Sequence, residues 1–159
     1  MMSVIDNIFN WFKKAVPEPN NKNIHTQLGV HFEEVAEMLL ALSGDDDQTE
    51  VLLHNAYLAN HLLAEHLKNN VGALNLDMTT ESKVELLDAL CDQIVTATGV
   101  GYMLGMNLPM ALEEVNASNY SKFVNGEPIF NENKKIMKGP NYIKPSLEFH
   151  IKLTTKHNA

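Results

Sequence analysis

The stretch ESKVELLDALCDQIVTATG, residues 81–99, limits the fold more than any other part of the chain. At about 100° per residue, Glu85, Asp88 and Asp92 fall on one narrow line of a helix. Leu86, Leu87, Leu90, Cys91, Ile94, Val95 and Ala97 spread around most of the remaining circumference. A helix that is apolar nearly all round belongs in an interior. The pattern therefore predicts a helix buried among other helices, with its acidic line buried too or lining a cleft. Carboxylates in such a place become protonated or need a cation. A divalent ion satisfies several at once, and an all-oxygen set selects magnesium, manganese or calcium over zinc.

The rest of the chain supplies helices for such a bundle. Ile5, Ile8, Phe9 and Phe12 form one stripe of a short amphipathic helix at the start. It can pack on a core or a partner, and it lacks the leader and cleavage site of a signal peptide. A loop follows at 17–23 (PEPNNKN). A second helix is predicted over 26–43, with Leu28, Phe32, Val35, Leu39 and Leu42 as its apolar stripe. Gly44 and the acidic run 45–47 end it, and Asp47 is placed to cap the next. That third helix spans 48–69, with Val51, Leu52, Ala56, Ala59, Leu63 and Leu67 inward. Thr80 or Ser82 can cap the fourth, which continues to about Thr98, where glycines at 99, 101 and 105 weaken its far end. Asn107 and Pro109 open a fifth, ending near Ser121. Asn125-Gly126 is a hairpin turn signal. The expected organisation is a short helix and linker (1–20), an all-α core of four to five helices (21–122) and an extended arm (123–159).

A second acidic group, Glu33, Glu34 and Glu37 in HFEEVAEMLL, has helical i, i+3 and i, i+4 spacings. Alone it reads as a solvated face. His54, His61 and Glu65 share a stripe, but no Glu-x-x-His pair of the ferritin-like kind occurs. The chain of 159 residues carries a net charge of −8, which argues against a nucleic-acid surface. It contains no arginine, so any phosphate must be met by lysine, backbone amide or metal. One cysteine, Cys91, excludes a disulfide framework and fits a cytoplasmic setting. No run approaches the ~20 apolar residues needed to span a bilayer.

EEVAE followed by ELLD resembles the EExxE…ExxD signature of the MazG-like all-α nucleoside triphosphate pyrophosphohydrolases. That superfamily includes phosphoribosyl-ATP pyrophosphohydrolases and dimeric dUTPases. The chain looks most like the branch labelled HAD-superfamily Cof-like phosphohydrolase, through ELLDALCDQIVTATGVGYMLG, EVNASNYSKF and KKIMKGPNYIKP, over roughly residues 25–146. The 47 residues between Glu37 and Glu85 are a long gap for that family, and the arginine often found before EExxE is missing.

The resemblance implies a MazG-like four- to five-helix bundle holding Mg2+, with Mn2+ as a substitute. It implies Glu34, Glu37, Glu85 and Asp88 as metal ligands, with Asp92 as an outer ligand or acceptor. Glu33 would position or activate water, or touch a further metal. Asn116, Asn119 and Lys122, with Lys135, Lys138 and Tyr142 of the arm, would meet the nucleotide. The implied reaction is hydrolysis of a nucleoside triphosphate to monophosphate and pyrophosphate by a homodimer or dimer of dimers. A metal-dependent nucleotide-sequestering protein without turnover, and a structural helical adaptor, are the alternatives.

Overall fold

The computed structural model describes residues 3–131 and 136–151. Among them the protein is all-α, with five α-helices and no sheet: α1 (Val4–Ala15), α2 (Asn21–Leu40), α3 (Asp47–Asn69), α4 (Thr80–Met103) and α5 (Leu108–Tyr120). A 3-10 turn, Leu147–His150, follows. None of these helices is long and apolar enough to cross a membrane. The chain divides into two units, one of Met1–Pro17 with Thr79–Ala159, the other of Glu18–Met78.

Side-chain caps set where the helices begin. Ser3 and Asp6 form a reciprocal capping box at α1, with Asp6 N–H donating to Ser3 Oγ at 3.2 Å. Such a box stabilises a helix end by about 1 kcal/mol. Asn20 and Asn23 do the same for α2 with amide side chains. That box corrects the expected loop at 17–23: α2 starts at Asn21, because asparagines that read as loop composition act as caps here. Asp46, not Asp47, caps α3 by accepting from Thr49 N–H at 2.8 Å. Those Thr49 hydrogen bonds hold the Asp46 carboxyl below the usual range. Thr79, rather than Thr80 or Ser82, caps α4. α4 runs through Gly99 and Gly101 and stops at Met103, before Gly105 at φ 73°.

In the Glu18–Met78 unit, α2 and α3 form an antiparallel hairpin. The buried side of α2 is His25, Gly29 and Ala36, and that of α3 is Ala64 and Leu67. The expected inner face of α3 is corrected in part. Val51, Leu52 and Leu63 are exposed, while Leu67 is buried. Small residues decide this. A Cβ on Gly29 would sit 2.8 Å from the Ala64 carbonyl oxygen and 2.7 Å from Lys68 Cγ, so the backbones approach where only glycine fits.

In the other unit, α1 packs on α5, and α5 on both α4 and the 3-10 turn. Trp11 stacks on Phe123 at 5.6 Å, nearly parallel, with Ala15 beside them. Tyr120 Oη donates to the Asn7 carbonyl at 3.0 Å. The 125–126 turn forms as expected, with φ of 52° and 81°, but it closes only an isolated bridge between Val124 and Glu127.

α4 departs most from expectation. Every residue from 83 to 98 is exposed, Leu87 at 63% and Val95 at 67%. Its only buried residue is Gly101, packed against Leu108. The burial expected from its apolar circumference needs neighbours along 83–98, and α4's neighbour within its unit, α5, meets its C-terminal end.

Candidate functional site

Glu33, Glu34 and Glu37 ride on α2 in the Glu18–Met78 unit. Glu33 is half-buried and ion-paired: Lys68 Nζ lies 3.1 Å from its Oε1 and 2.5 Å from Glu65 Oε1. Burial pulls the Lys68 ammonium down, and the carboxylates of Glu65 and Glu33 more than reverse it, leaving Lys68 above the ordinary lysine range. Glu65 is held below the usual carboxylate range by the same lysine. Glu34 and Glu37 are exposed, one helical turn apart.

Glu85, Asp88 and Asp92 line α4 in the other unit, and all three are exposed. This corrects the expectation of a buried acidic line: the three carboxylates are open to solvent. Among the described residues no three His, Cys, Asp or Glu side chains are grouped to hold a metal ion. What the chain offers instead is carboxylate pairs, Glu34 with Glu37 and Glu85 with Asp88. Their all-oxygen chemistry fits magnesium or manganese rather than zinc. His54 and His61 flank Tyr57, whose ring stacks on His61 at 5.7 Å.

The polar residues expected to meet a nucleotide are drawn together more closely. Ser118 Oγ donates to the Ile143 carbonyl at 2.7 Å, and Ile143 N–H donates to Ser121 Oγ at 2.9 Å. Those two bonds lay the KGPNYI segment against the end of α5. A Cβ on Gly139 would meet Val124 Cγ2 at 2.6 Å and the Lys122 carbonyl oxygen at 3.1 Å, so glycine is needed for the approach. The Lys122 backbone and Gly139, the residue after Lys138, thereby come together. Lys122 Nζ donates to Asn119 Oδ1 at 2.7 Å, and Lys138 Nζ sits 4.7 Å from the centre of the Tyr142 ring. Asn116 is 7% exposed and belongs to the interior of α5's packing face rather than to this surface. Lys135 lies outside the described residues.

Sequence reasoning missed the clasp that holds the rest of the arm. Glu114 accepts from the Ser146 amide and lies 2.7 Å from His150 Nε2. The Asn107 N–H donates to the His150 carbonyl at 2.8 Å. The Ser146 amide, then His150, hold the Glu114 carboxyl below the usual range. Asn107, Glu114, Ser118 and Ser121 recur at intervals of seven, four and three, a helical stripe whose polarity was a legible signal. A cavity of about 500 Å3 opens beside this clasp, walled by Tyr102, Met106 and Phe149, and none of the expected site residues lines it. No family model, curated protein or solved structure matches the chain.

Proposed function

We propose that this protein is a magnesium-dependent hydrolase of a nucleoside triphosphate, releasing nucleoside monophosphate and pyrophosphate, and that its helices assemble as a MazG-like bundle. The observation that carries this reading is the meeting of the Lys122 and Lys138 segments through Gly139. In a chain of net charge −8 without arginine, that approach supports a role for these two lysines in meeting phosphate. Lys122 and Lys138 bind phosphate oxygens as point charges, with less directional grip than a guanidinium. Asn119 orients Lys122, and the Tyr142 ring steadies Lys138. The carboxylate pairs Glu34 with Glu37 and Glu85 with Asp88 would hold the Mg2+, with Asp92 as an outer group and Mn2+ as the alternative ion. The chemistry such an ion would supply is neutralisation of phosphate charge and a more acidic water. Glu33, fixed by Lys68, orients water rather than binding metal. A second copy of the chain covers α4, making the working protein a homodimer or a dimer of dimers.

A panel of nucleoside triphosphates assayed with Mg2+ and pyrophosphate detection tests this. Glu37→Gln and Asp88→Asn should each fold and lose at least ~100-fold in turnover, the scale at which charge stabilisation acts on such barriers. Full activity in either variant overturns the ligand assignment. Tight nucleotide binding with no product over hours replaces the hydrolase with a sequestering protein.

A further inference from the structure

His25 is 1% exposed, in the second turn of α2. Both its ring nitrogens are engaged by backbone groups. Nδ1 lies 2.7 Å from the Asn21 carbonyl oxygen. Nε2 accepts from the Gly72 amide at 3.1 Å and the Leu74 amide at 3.2 Å. Gly72 has φ of 97°, a left-handed conformation that glycine adopts readily.

A carbonyl only accepts and an amide N–H only donates. One state of the ring satisfies all three partners: a proton on Nδ1 and a bare lone pair on Nε2. A second proton would point an N–H at two N–H groups and bury a charge. Besides His25, the ionisable groups of α2 are Lys22, His31, Glu33, Glu34 and Glu37; the last two turns of α3 carry Glu65, His66 and Lys68, and Asp77 lies beyond. The hydrogen bonds of His25 go to the backbone groups of Asn21, Gly72 and Leu74, and Lys68 binds both Glu33 and Glu65. The ring's ligands are thus two amides of the segment joining α3 to α4, and the neutral imidazole is what keeps them.

We propose that His25 is a proton-operated latch on that joining segment. The neutral ring fastens Gly72 and Leu74 to α2, and protonation releases them. The segment tethers the helix bearing Glu85 and Asp88 to the hairpin bearing Glu34 and Glu37, so acid lengthens the free tether. The inference stands independently of the proposed hydrolysis.

The full wild-type chain, labelled with 15N, tests it by NMR. At neutral pH the His25 nitrogens should report a proton on Nδ1 and none on Nε2. On acidification, protection of the Gly72 and Leu74 amides from hydrogen exchange should fall about tenfold in step with the His25 signal, the scale of one buried hydrogen bond. Amides of α5 should keep theirs. His25→Gln cannot titrate and should abolish the acid step; if it does not fold, the wild-type measurement decides alone. A proton on Nε2 at neutral pH overturns the latch. So does a ring that titrates while both amides stay protected, or an unchanged acid step in folded His25→Gln.

Discussion

The α2–α3 hairpin and α4 invite comparison because α4 has the more continuous apolar surface and the less burial. In the hairpin, His25, Gly29, Ala36, Ala64 and Leu67 are sealed, yet only one of the five is a large aliphatic residue. In α4, Leu87, Ile94 and Val95 are all more than half exposed. Burial in this chain therefore follows the small residues that let one backbone reach another, not the count of apolar side chains. Interiors are close-packed, so a glycine that admits a neighbouring carbonyl can organise more contact than a leucine facing outward.

The largest expected effect comes from attacking that close approach. Gly29→Leu places a branched side chain where even a Cβ would stand 2.8 Å from the Ala64 carbonyl oxygen. Overpacking of this kind costs about 3 kcal/mol, at the upper end of its usual range. Thermal melts should show the α2–α3 hairpin destabilised, and an unchanged melting profile would mean the helices do not meet at Gly29. The hairpin's seam would then be no tighter than α4's surface.

A smaller effect is expected at the seam's polar edge. Lys68→Met removes the cation that holds Glu33 and Glu65 while keeping most of the aliphatic stem beside Gly29. With these side chains 21 to 46% exposed, solvent screening limits the loss to about 1 kcal/mol. The pH dependence has two signs. Lys68 is raised, so its contribution is full below the unfolded lysine value and is lost as pH rises through the folded one. Glu65 is lowered, so its share is present above the unfolded carboxylate value and is lost as pH falls through the folded one. Denaturant midpoints of wild type and Lys68→Met should therefore converge at both alkaline and acid extremes. A gap that persists at both ends would assign the effect to packing alone.

Helix existence was legible in the sequence because it rests on local signals. Periodicity marked the first four helices and start signals the fifth, and the α3 span differs from expectation by one residue at its start. Caps were less legible. Asn20 and Asn23 have loop-like composition, and only their reciprocal hydrogen bonds make them a helix start. Partners were least legible. Periodicity says which residues share a face, but not what covers it, and so α4 was assigned an interior position that its own unit does not supply. In the candidate site, Lys122 and Lys138 were named only through the family resemblance; by type and spacing alone they read as solvated charge. The placing of the Lys138 segment beside Lys122 depends on Gly139, Ser118 and Ser121, whose contacts span 15 to 25 residues of chain.

The smallest expected effect on the single chain is the most informative about α4. Leu87→Gln with Ile94→Gln replaces two exposed residues one helical heptad apart, and glutamine has nearly leucine's helix propensity. At dilution the double variant should melt within about 0.5 kcal/mol of wild type, as surface substitutions do. At high concentration the two should diverge. If a second copy covers α4, wild type gains stability with concentration by mass action, and the variant does not. Sedimentation should show wild type associating and the variant as a monomer. A wild type that stays monomeric would remove the second copy from the proposed function. A variant that still associates would move the contact elsewhere on the surface. A variant that loses stability even as a dilute monomer would mean that the chain itself covers α4, and the contrast with the hairpin would then disappear.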